Sequence, residues 1–138
     1  MSDCQFCDIA AGEAPATRLY EDETVVAFLD IAPVAGGHTL VVPKDHYETL
    51  IDMPPEAAGE LFERVRVVAG AVETAFDIDG FDIVQANGEA AGQEVFHAHV
   101  HILPRYENDD VQVRWPAGKL TESKAEEIAT AIRAELPE

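Results

Sequence analysis

Three histidines in the last third of the chain, His97, His99 and His101, are separated from one another by single apolar residues. Successive side chains of a β-strand point to opposite faces, so this spacing predicts three imidazoles on one strand face, about 6.6–6.8 Å apart in sequence order. The apolar residues that alternate with them are then expected to face the core. They are Ala98, Val100 and Ile102. Three imidazoles in a row are unusual as core filling, and the pattern therefore indicates a functional site.

Two kinds of chemistry fit three such imidazoles. They could bind a zinc ion that activates a water molecule. Alternatively, one imidazole could act as a nucleophile while its neighbours orient it and donate protons. The two exclude each other at any one nitrogen, because a nitrogen that binds a metal has no lone pair left for attack. The spacing alone leaves both open.

Two cysteines at the start of the sequence, Cys4 and Cys7, form a Cys-x-x-Cys motif. An intracellular setting argues against a structural disulfide, and a thioredoxin-like motif would follow a strand and open a long helix. This motif precedes all the strong strand signals, so metal binding is favoured. Two thiolates need two further ligands to complete a tetrahedral zinc site, which would leave three histidines for other chemistry. The candidate imidazoles are His38, His46, His97, His99 and His101.

The sequence is strongly acidic, with 27 acidic and nine basic residues and a formal net charge of −18. Such a surface repels phosphate backbones, which argues against nucleic acid as a partner. It also suggests a halophilic source, because molar salt shortens the Debye length to about 3 Å and screens the self-repulsion. Full structure and activity of the purified protein in dilute buffer would contradict this expectation.

The 138 residues, 47% of them hydrophobic, are typical of a single domain, which we place over residues 1–138. No apolar stretch approaches the roughly 18 residues that a membrane-spanning helix needs. The first residues contain no basic segment followed by an apolar one, so a secretory signal is not expected. These features predict a cytoplasmic protein without a membrane partner.

Periodicity and turn residues predict the elements that must position these groups. Pro54-Pro55 opens the clearest helix, since proline is tolerated in a first helical turn, and apolar residues then recur at three- or four-residue steps as far as Phe76. Strands are expected at 18–21, 24–30, 38–43, 80–87 and 96–104, and further helices at 4–12 and about 123–136. This order indicates an α+β fold with a mainly antiparallel sheet.

The histidine segment 97–103 resembles the signature of the histidine triad family. Five further segments are similar to that family, and the resemblance covers residues 4 to about 106. These segments are 4–9, 12–16, 28–33, 37–44 and 87–93. On this ordered combination the chain resembles the Hint branch of the family, whose members are nucleotide hydrolases and transferases.

The resemblance implies an α+β domain with one long and one C-terminal helix, and a twofold homodimer whose sheets join across the interface. It implies attack on the α-phosphate of a purine nucleoside phosphoramidate or a related nucleotidyl conjugate, with release of a nucleoside monophosphate such as AMP or GMP. The alternatives are a dinucleoside polyphosphate hydrolase, a metal-dependent hydrolase, and a non-catalytic nucleotide-binding or zinc-stapled adaptor.

The resemblance also assigns catalytic roles to three histidines. His99 would be the nucleophile and would form a nucleotidyl-histidine intermediate that water then hydrolyses. His101 would donate a hydrogen bond to the phosphate or the leaving group. His38 would hydrogen-bond His101 and set its tautomer.

The same resemblance implies which residues bind the nucleotide. Asp30 would accept hydrogen bonds from the ribose hydroxyls, and Asn87 and Gln93 would hold phosphate oxygens or the leaving group. The expected nucleotide-binding residues are Asp30, Asn87, Gln93, His99 and His101.

Glu94 departs from the family's pattern, because many relatives carry a serine or threonine there whose hydroxyl contacts phosphate. A carboxylate at this position would repel a nucleotide unless it points away. By sequence, Lys44 and Arg105 are the cations expected near the site. Residues 107–122 carry no motif that assigns them a role.

Relatives with the N-terminal Cys-x-x-Cys motif are thought to hold a structural zinc ion through both cysteines and two histidines. The resemblance implies that this zinc is not catalytic and leaves the three catalytic candidates free. The corresponding ligands in this chain are Cys4, Cys7, His46 and His97.

Overall fold

One antiparallel sheet of five strands lies at the centre of the computed structural model, which describes residues 3–137. Its strands are β1 (Arg18–Glu21), β2 (Val25–Leu29), β3 (Thr39–Pro43), β4 (Gly80–Val84) and β5 (Val100–Arg105). The strand order is β1-β2-β3-β5-β4, and every neighbouring pair is antiparallel. The predicted α+β fold with a mainly antiparallel sheet is confirmed.

Three α-helices accompany the sheet over residues 3–137, and all three predicted helices are confirmed. The long helix begins at the second proline of the Pro54-Pro55 pair, where the missing N–H of proline costs no helical hydrogen bond. Its buried apolar stripe packs on the middle strands of the sheet. The helices are α1 (Gln5–Ala10), α2 (Pro55–Ala75) and α3 (Glu122–Glu135), and short 3₁₀ turns occur at Leu50–Asp52 and Glu89–Ala91.

The sheet separates two apolar clusters, because alternate residues of its middle strands face opposite sides. Val25 and Ala27 of β2 belong to the cluster under α2, whereas Val26 and Phe28 belong to the cluster under α1. Middle strands buried on both faces read as continuous apolar runs, which is the pattern of β2 and β3. The side under α1 is the one that carries the candidate site.

The turn between β1 and β2 is fixed by the carboxylate of Asp22. Its Oδ1 accepts hydrogen bonds from the backbone N–H groups of Thr24 and Val25, both at 2.9 Å. Its Oδ2 accepts from Nε of Arg64 in α2 at 2.9 Å. This one side chain therefore fixes the turn of the antiparallel β1–β2 pair and also joins it to the long helix.

The strand predicted at residues 96–104 begins only at Val100, so the prediction of one strand carrying all three histidines is wrong. The backbone before it bends away from β3, and the N–H of Ala98 donates to the carbonyl of Tyr47 at 2.6 Å instead of to a strand. β3 pairs with β5 over residues 100–102 only. Core packing of the alternating apolar residues is confirmed for all three of them: Ala98, Val100 and Ile102.

Gly37 occupies a position that other residues fit poorly, directly before the buried His38. Its φ is +96°, and a Cβ there would lie 3.2 Å from the ring of Phe76 and 3.3 Å from the ring of Pro104. Only glycine adopts such a backbone conformation readily. This turn brings the chain into β3 and buries the imidazole of His38 beside the sheet.

The last helix has an apolar stripe, as its periodicity predicts, but that stripe is not covered by residues 3–137 of the same chain. No residue of α3 is buried, and Ile128, Ile132 and Leu136 are about half exposed. Thr121 caps the helix and accepts a hydrogen bond from the N–H of Lys124. Within residues 3–137, no helix has the length and apolar character needed to cross a membrane.

Candidate active site and metal site

A cavity of about 340 Å³ opens on the side of the sheet that α1 covers. One part of its wall is apolar, and the other part carries the imidazoles of His99 and His101 and the carboxylates of Asp30 and Glu94. An apolar cavity with a few convergent polar groups is the usual form of a small-molecule site. The apolar wall includes Phe6, Ile9, Phe28, Ile31 and Leu40.

The tautomer of His99 follows from its one backbone contact. Its Nδ1 lies 2.7 Å from the carbonyl oxygen of His97, and a carbonyl can only accept, so Nδ1 carries the proton. In the neutral ring Nε2 therefore keeps its lone pair. The edge-on ring of Phe6, with centroids 5.0 Å apart, holds the imidazole from α1. The result is an oriented, potentially nucleophilic nitrogen in the wall of the cavity.

His38 and His101 form a second oriented pair. The backbone N–H of Val34 donates to Nδ1 of His38 at 3.1 Å, so the proton of a neutral His38 ring is on Nε2. That Nε2 lies 2.9 Å from Nδ1 of His101 and 3.3 Å from Oδ2 of Asp30. His101 then accepts at Nδ1 and carries its own proton on Nε2. It is therefore a hydrogen-bond donor for an oxygen bound in the cavity.

Both rings of this pair are held in the neutral form. Burial lowers the pKa of His101 to about 4, with further lowering from His99 and His38 and only partial opposition from Asp30. Burial also lowers the pKa of His38, against the effect of Asp30. A proton added to Nδ1 of His101 would face the N–H of His38, so the hydrogen bond between the rings disfavours the charged form.

Four metal-ligating side chains converge on the other side of the bend at residues 95–99. Nε2 of His97 donates to the carbonyl of Pro43 at 2.8 Å, so Nδ1 presents a lone pair. This Nδ1 lies 3.2 Å from Sγ of Cys4, 3.5 Å from Sγ of Cys7 and 3.2 Å from Nδ1 of His46. Cys7 Sγ is 3.4 Å from His46 Nδ1.

The spacing of these four groups fits zinc. Zn–N bonds of about 2.0–2.1 Å and Zn–S bonds of about 2.3 Å place tetrahedral ligand atoms roughly 3.3–3.8 Å apart. The distances between the ligand atoms are close to that range. Burial and the neighbouring Cys4 raise the pKa of the Cys7 thiol to about 11, so a bound cation has to displace a proton there. The group that could hold a metal ion is Cys4, Cys7, His46 and His97.

A second cluster, Asp30, His38 and His101, is also close enough to hold a metal ion. Its hydrogen bonds oppose this, because Nε2 of His38 carries a proton while the N–H of Val34 occupies Nδ1. The ring of His97 is turned to the cysteines, whereas those of His99 and His101 lie together with centroids 5.1 Å apart. The three alternating histidines thus belong to two different sites and do not form one zinc centre.

Gln93 and Asn87 lie in the loop that borders the cavity, but neither lines it. Gln93 is 3% exposed, and its amide bonds the N–H of Gly88 and the carbonyls of Glu48 and Val95. Asn87 accepts from the N–H of Leu50 and exchanges hydrogen bonds with Gln85. Both side chains hold the loop in place here, and a contact with substrate stays a prediction. The three predicted nucleotide-binding residues that line the cavity are Asp30, His99 and His101.

The two cations expected near the site are paired elsewhere. Lys44 lies 2.7 Å from Glu21, and Arg105 contacts Asp82 at 2.7 Å and Asp109 at 2.9 Å. Neither lines the cavity. Lys44 and Arg105 lie close to site residues along the chain, but the folded chain pairs them with these acidic residues instead. Nearness in sequence therefore did not predict nearness to the cavity.

Phe6 is a site residue that the sequence analysis missed. Its ring contacts both His97 and His99 and also packs on Phe28 of β2. It therefore joins the metal-ligating cluster to the cavity. Its position between the two cysteines is the feature of the sequence that could have identified it.

A model of the HIT domain family matches residues 11–108. The chain is 43% identical over 108 residues to Adenylylsulfatase HINT3 of Arabidopsis thaliana, covering 78% of this chain and 55% of that protein. It is 36% identical over 134 residues to Adenosine 5′-monophosphoramidase HNT1 of Saccharomyces cerevisiae, covering 96% of this chain and 82% of that protein.

Solved structures share the fold over nearly the whole chain. A HIT family protein from Bacillus subtilis is similar with a TM-score of 0.94 and 39% identity, over 99% of both chains. A zinc-bound histidine triad family protein from Mycobacterium smegmatis is similar with a TM-score of 0.76 and 38% identity, over 96% of this chain and 98% of that one.

The hydrogen bonds assign a tautomer to each ring, and nitrogen-15 NMR can measure it. At pH 7 we expect the proton on Nδ1 of His99, on Nε2 of His38 and on Nε2 of His101, with signals assigned from single His→Asn variants. Because burial depresses the pKa of His101, its ring should stay neutral as the pH is lowered from 7 and should gain a proton only near pH 4. A proton on Nδ1 of His101 at pH 7, or titration near 6.5, would contradict the arrangement.

Proposed function

The chain belongs to the HIT domain family, and from this membership we propose that it is a nucleoside phosphoramidase, or a closely related nucleotidyl hydrolase or transferase. The names of two relatives, an adenylylsulfatase and an adenosine 5′-monophosphoramidase, support nucleotide hydrolase activity. The observation that carries the finer proposal is the tautomer of His99, which leaves the Nε2 lone pair available in the cavity wall.

The proposed reaction proceeds in two displacements. Nε2 of His99 attacks the α-phosphorus of a purine nucleoside phosphoramidate, the P–N bond to the amine breaks, and the amine leaves with a proton taken from solvent. Water then attacks the nucleotidyl-histidine, the P–N bond to His99 breaks, and the water gives up a proton to solvent, which releases the nucleoside monophosphate and restores the imidazole. In the intermediate Nδ1 keeps its proton, so the His97 carbonyl stabilises the positive charge of the ring. His101 donates from Nε2 to the phosphate or the leaving group.

The walls of the cavity match the rest of a nucleotide. The apolar wall under α1 accepts the purine base, and Asp30 accepts hydrogen bonds from the ribose hydroxyls. Asp30 is oriented for this, because its Oδ1 already accepts from the N–H of Ala32 at 2.9 Å. Asn87 and Gln93 are proposed to bind phosphate oxygens or the leaving group. To do so, each side chain would replace a hydrogen bond that it makes within the protein by one to the substrate.

A purely non-catalytic adaptor would have no need of this arrangement. Such a protein requires affinity for the nucleotide but not a nucleophilic nitrogen with its proton fixed on the opposite side of the ring. The hydrogen bonds of His99, His38 and His101 each determine which nitrogen of the neutral ring carries the proton, and that is what catalysis uses. They therefore favour an enzyme.

We further propose that the cluster of cysteines and histidines holds a structural zinc ion. Its four ligands come from α1 and its N-cap residue, the segment after β3 and the bend before β5, so the ion would join three parts of the chain near the site. All four ligands are protein groups, which leaves no open position for catalysis. The similarity to a zinc-bound histidine triad protein supports this assignment. The proposed ligands are Cys4, Cys7, His46 and His97.

A homodimer with sheets joined through β4 is also proposed. β4 is an edge strand of the sheet, and Phe81 and Ile83 on it are each 40% exposed. Phe62 and Arg66 of the neighbouring helix line a hollow with them. An apolar edge strand is a liability for a monomer, and pairing with a second copy satisfies its backbone and covers its side chains.

The location and the absence of other partners are proposals that rest on charge. A net charge of −18 opposes binding to nucleic acid and to anionic membrane surfaces. A cytoplasm with molar salt, as in a halophile, would screen the self-repulsion of such a chain.

The catalytic proposal is tested with two compounds, an adenosine phosphoramidate for the proposed activity and a diadenosine polyphosphate for the alternative one. The first should be hydrolysed to AMP, and His99→Ala should reduce kcat by roughly a thousandfold or more, because the only proposed nucleophile is removed. Mass spectrometry of quenched reactions should detect a nucleotidyl adduct on the wild type. Folding of the variant is checked by its melting temperature. Undiminished turnover by a folded His99→Ala protein would disprove the mechanism.

The zinc proposal predicts one zinc ion per chain by elemental analysis. Cys4→Ser should lose the metal and lower the melting temperature, because binding of a structural zinc contributes several kcal/mol to folding. His38→Asn is the matched control, since it changes a buried histidine outside the cluster and should keep the full metal content. Protein expressed with added zinc that contains none would refute the proposal.

The dimer proposal predicts that Ile83→Lys produces a monomer in sedimentation equilibrium, because a charge on the strand edge cannot be buried against its copy. Ile51→Lys is the control, since Ile51 is 87% exposed and does not line the hollow beside β4. It should leave the mass unchanged. A monomeric wild-type protein, or an Ile83→Lys dimer of unchanged stability, would rule out this interface.

A further inference from the structure

The candidate cavity has an unusual charge for a site proposed to bind a nucleotide. Among the residues that line it there is no lysine or arginine, but there are two carboxylates, Asp30 and Glu94. The adjoining open depression on the metal-ligand side has Asp3 and Glu94 in its wall and again no lysine or arginine. A zinc ion with two thiolates and two neutral imidazoles has no net charge, so it would not offset them.

Glu94 differs from Asp30 in what its carboxylate contacts. Asp30 is engaged with the N–H of Ala32 and with Nε2 of His38. The Glu94 carboxylate makes no hydrogen bond or ion pair with any residue between positions 3 and 137, and its side chain is exposed at the rim. Its backbone is nevertheless fixed, since the neighbouring Gln93 is buried and bonds Gly88 and Glu48.

The position of Glu94 matters because it borders both hollows. A cavity of about 340 Å³ is near the lower end of the roughly 300–1,000 Å³ of small-molecule sites, so a nucleoside monophosphate unit fills most of it. With the base placed on the apolar wall and the ribose at Asp30, little of the cavity is left for the group attached to the α-phosphate. We therefore place that group at the rim, where Glu94 lines both the cavity and the adjoining depression.

We propose that Glu94 is a specificity-determining residue that selects the leaving group by its charge. It disfavours leaving groups with an anionic end, such as a carboxylate or a further phosphate, and favours amines with a cationic end. This proposal rests on the function proposed above. It narrows the substrate class of the enzyme to phosphoramidates whose amine carries a second, positively charged group at its far end. The physical basis is Coulomb interaction without a nearby cation to neutralise the carboxylate, and rejection of the wrong partner by like charge is a common source of specificity.

Three adenosine phosphoramidates test this proposal while the reacting P–N bond stays the same. Their amines are 1,2-diaminoethane, propylamine and β-alanine, so the far end is an ammonium, a methyl or a carboxylate group. The measurement is kcat/KM for each, and the quantity of interest is the ammonium-to-carboxylate ratio. Comparing this ratio between variants cancels the intrinsic reactivity of the three compounds.

Glu94→Gln should lower that ratio by about tenfold, with the propylamine compound changed least, because one unit charge at the rim is removed. Glu89→Gln is the matched control: Glu89 is exposed in the same loop, lines neither hollow, and its removal changes the net charge of the chain equally. It should leave the ratio within twofold of the wild type. Added salt should reduce the wild-type ratio more than that of Glu94→Gln.

The outcomes separate this inference from the proposed function. If the wild type cleaves all three compounds and Glu94→Gln leaves the ratio unchanged, the inference is wrong and the proposed function stands. If Glu89→Gln lowers the ratio as much as Glu94→Gln, the effect is one of net charge and the inference is again wrong. If the wild type cleaves none of them, the proposed function fails and the inference fails with it.

Discussion

The candidate nucleophile depends on one hydrogen bond, from Nδ1 of His99 to the carbonyl oxygen of His97 at 2.7 Å. Without it the ring could carry its proton on Nε2, and no lone pair would face the cavity. The carbonyl can serve as a fixed acceptor because the His97 ring is held at both nitrogens. Its Nε2 donates to Pro43, and its Nδ1 lies among the ligand atoms of Cys4 and Cys7. The metal-ligating cluster therefore sets the geometry of the cavity beside it.

The bend at residues 95–99 allows one short segment to serve both sites. In a regular strand the three histidines would point in one direction, and a metal ion and a substrate would then compete for the same imidazoles. Because Ala98 bonds Tyr47 and the strand starts only at Val100, His97 turns to the cysteines while His99 stays in the cavity wall. Phe6 of α1 packs on both rings and holds the two sites together.

Much of the fold could be predicted from local sequence, but the site could be predicted only in part. The proline pair at the start of α2 and the alternation of Ala98 and Val100 act within a few residues, so a local pattern determines their outcome. The start of β5 depends on the carbonyl of Tyr47, about fifty positions earlier, which no periodicity contains. The bond that the Gln93 amide donates to the carbonyl of Glu48, 45 positions earlier, is equally beyond a local pattern, whereas its expected contact with substrate stays a prediction. Local patterns thus identify which residues do chemistry more reliably than which partners they have.

The absence of a lysine or arginine from the cavity wall determines how an anion could be held there. A phosphoryl group bound beside His99 and His101 would accept a hydrogen bond from the Nε2–H of the neutral His101 ring, while Nε2 of His99 faces the phosphorus with its lone pair. Dipoles act over shorter distances than charges, so attraction begins only once the phosphate is inside, while a chain of net charge −18 repels it from afar. Such a site gains its selectivity from donors that are already in position before the substrate arrives. This gives a physical reason for the hydrogen bonds that fix the two imidazoles, since a group displaced by a fraction of an ångström has no cation nearby to compensate for it.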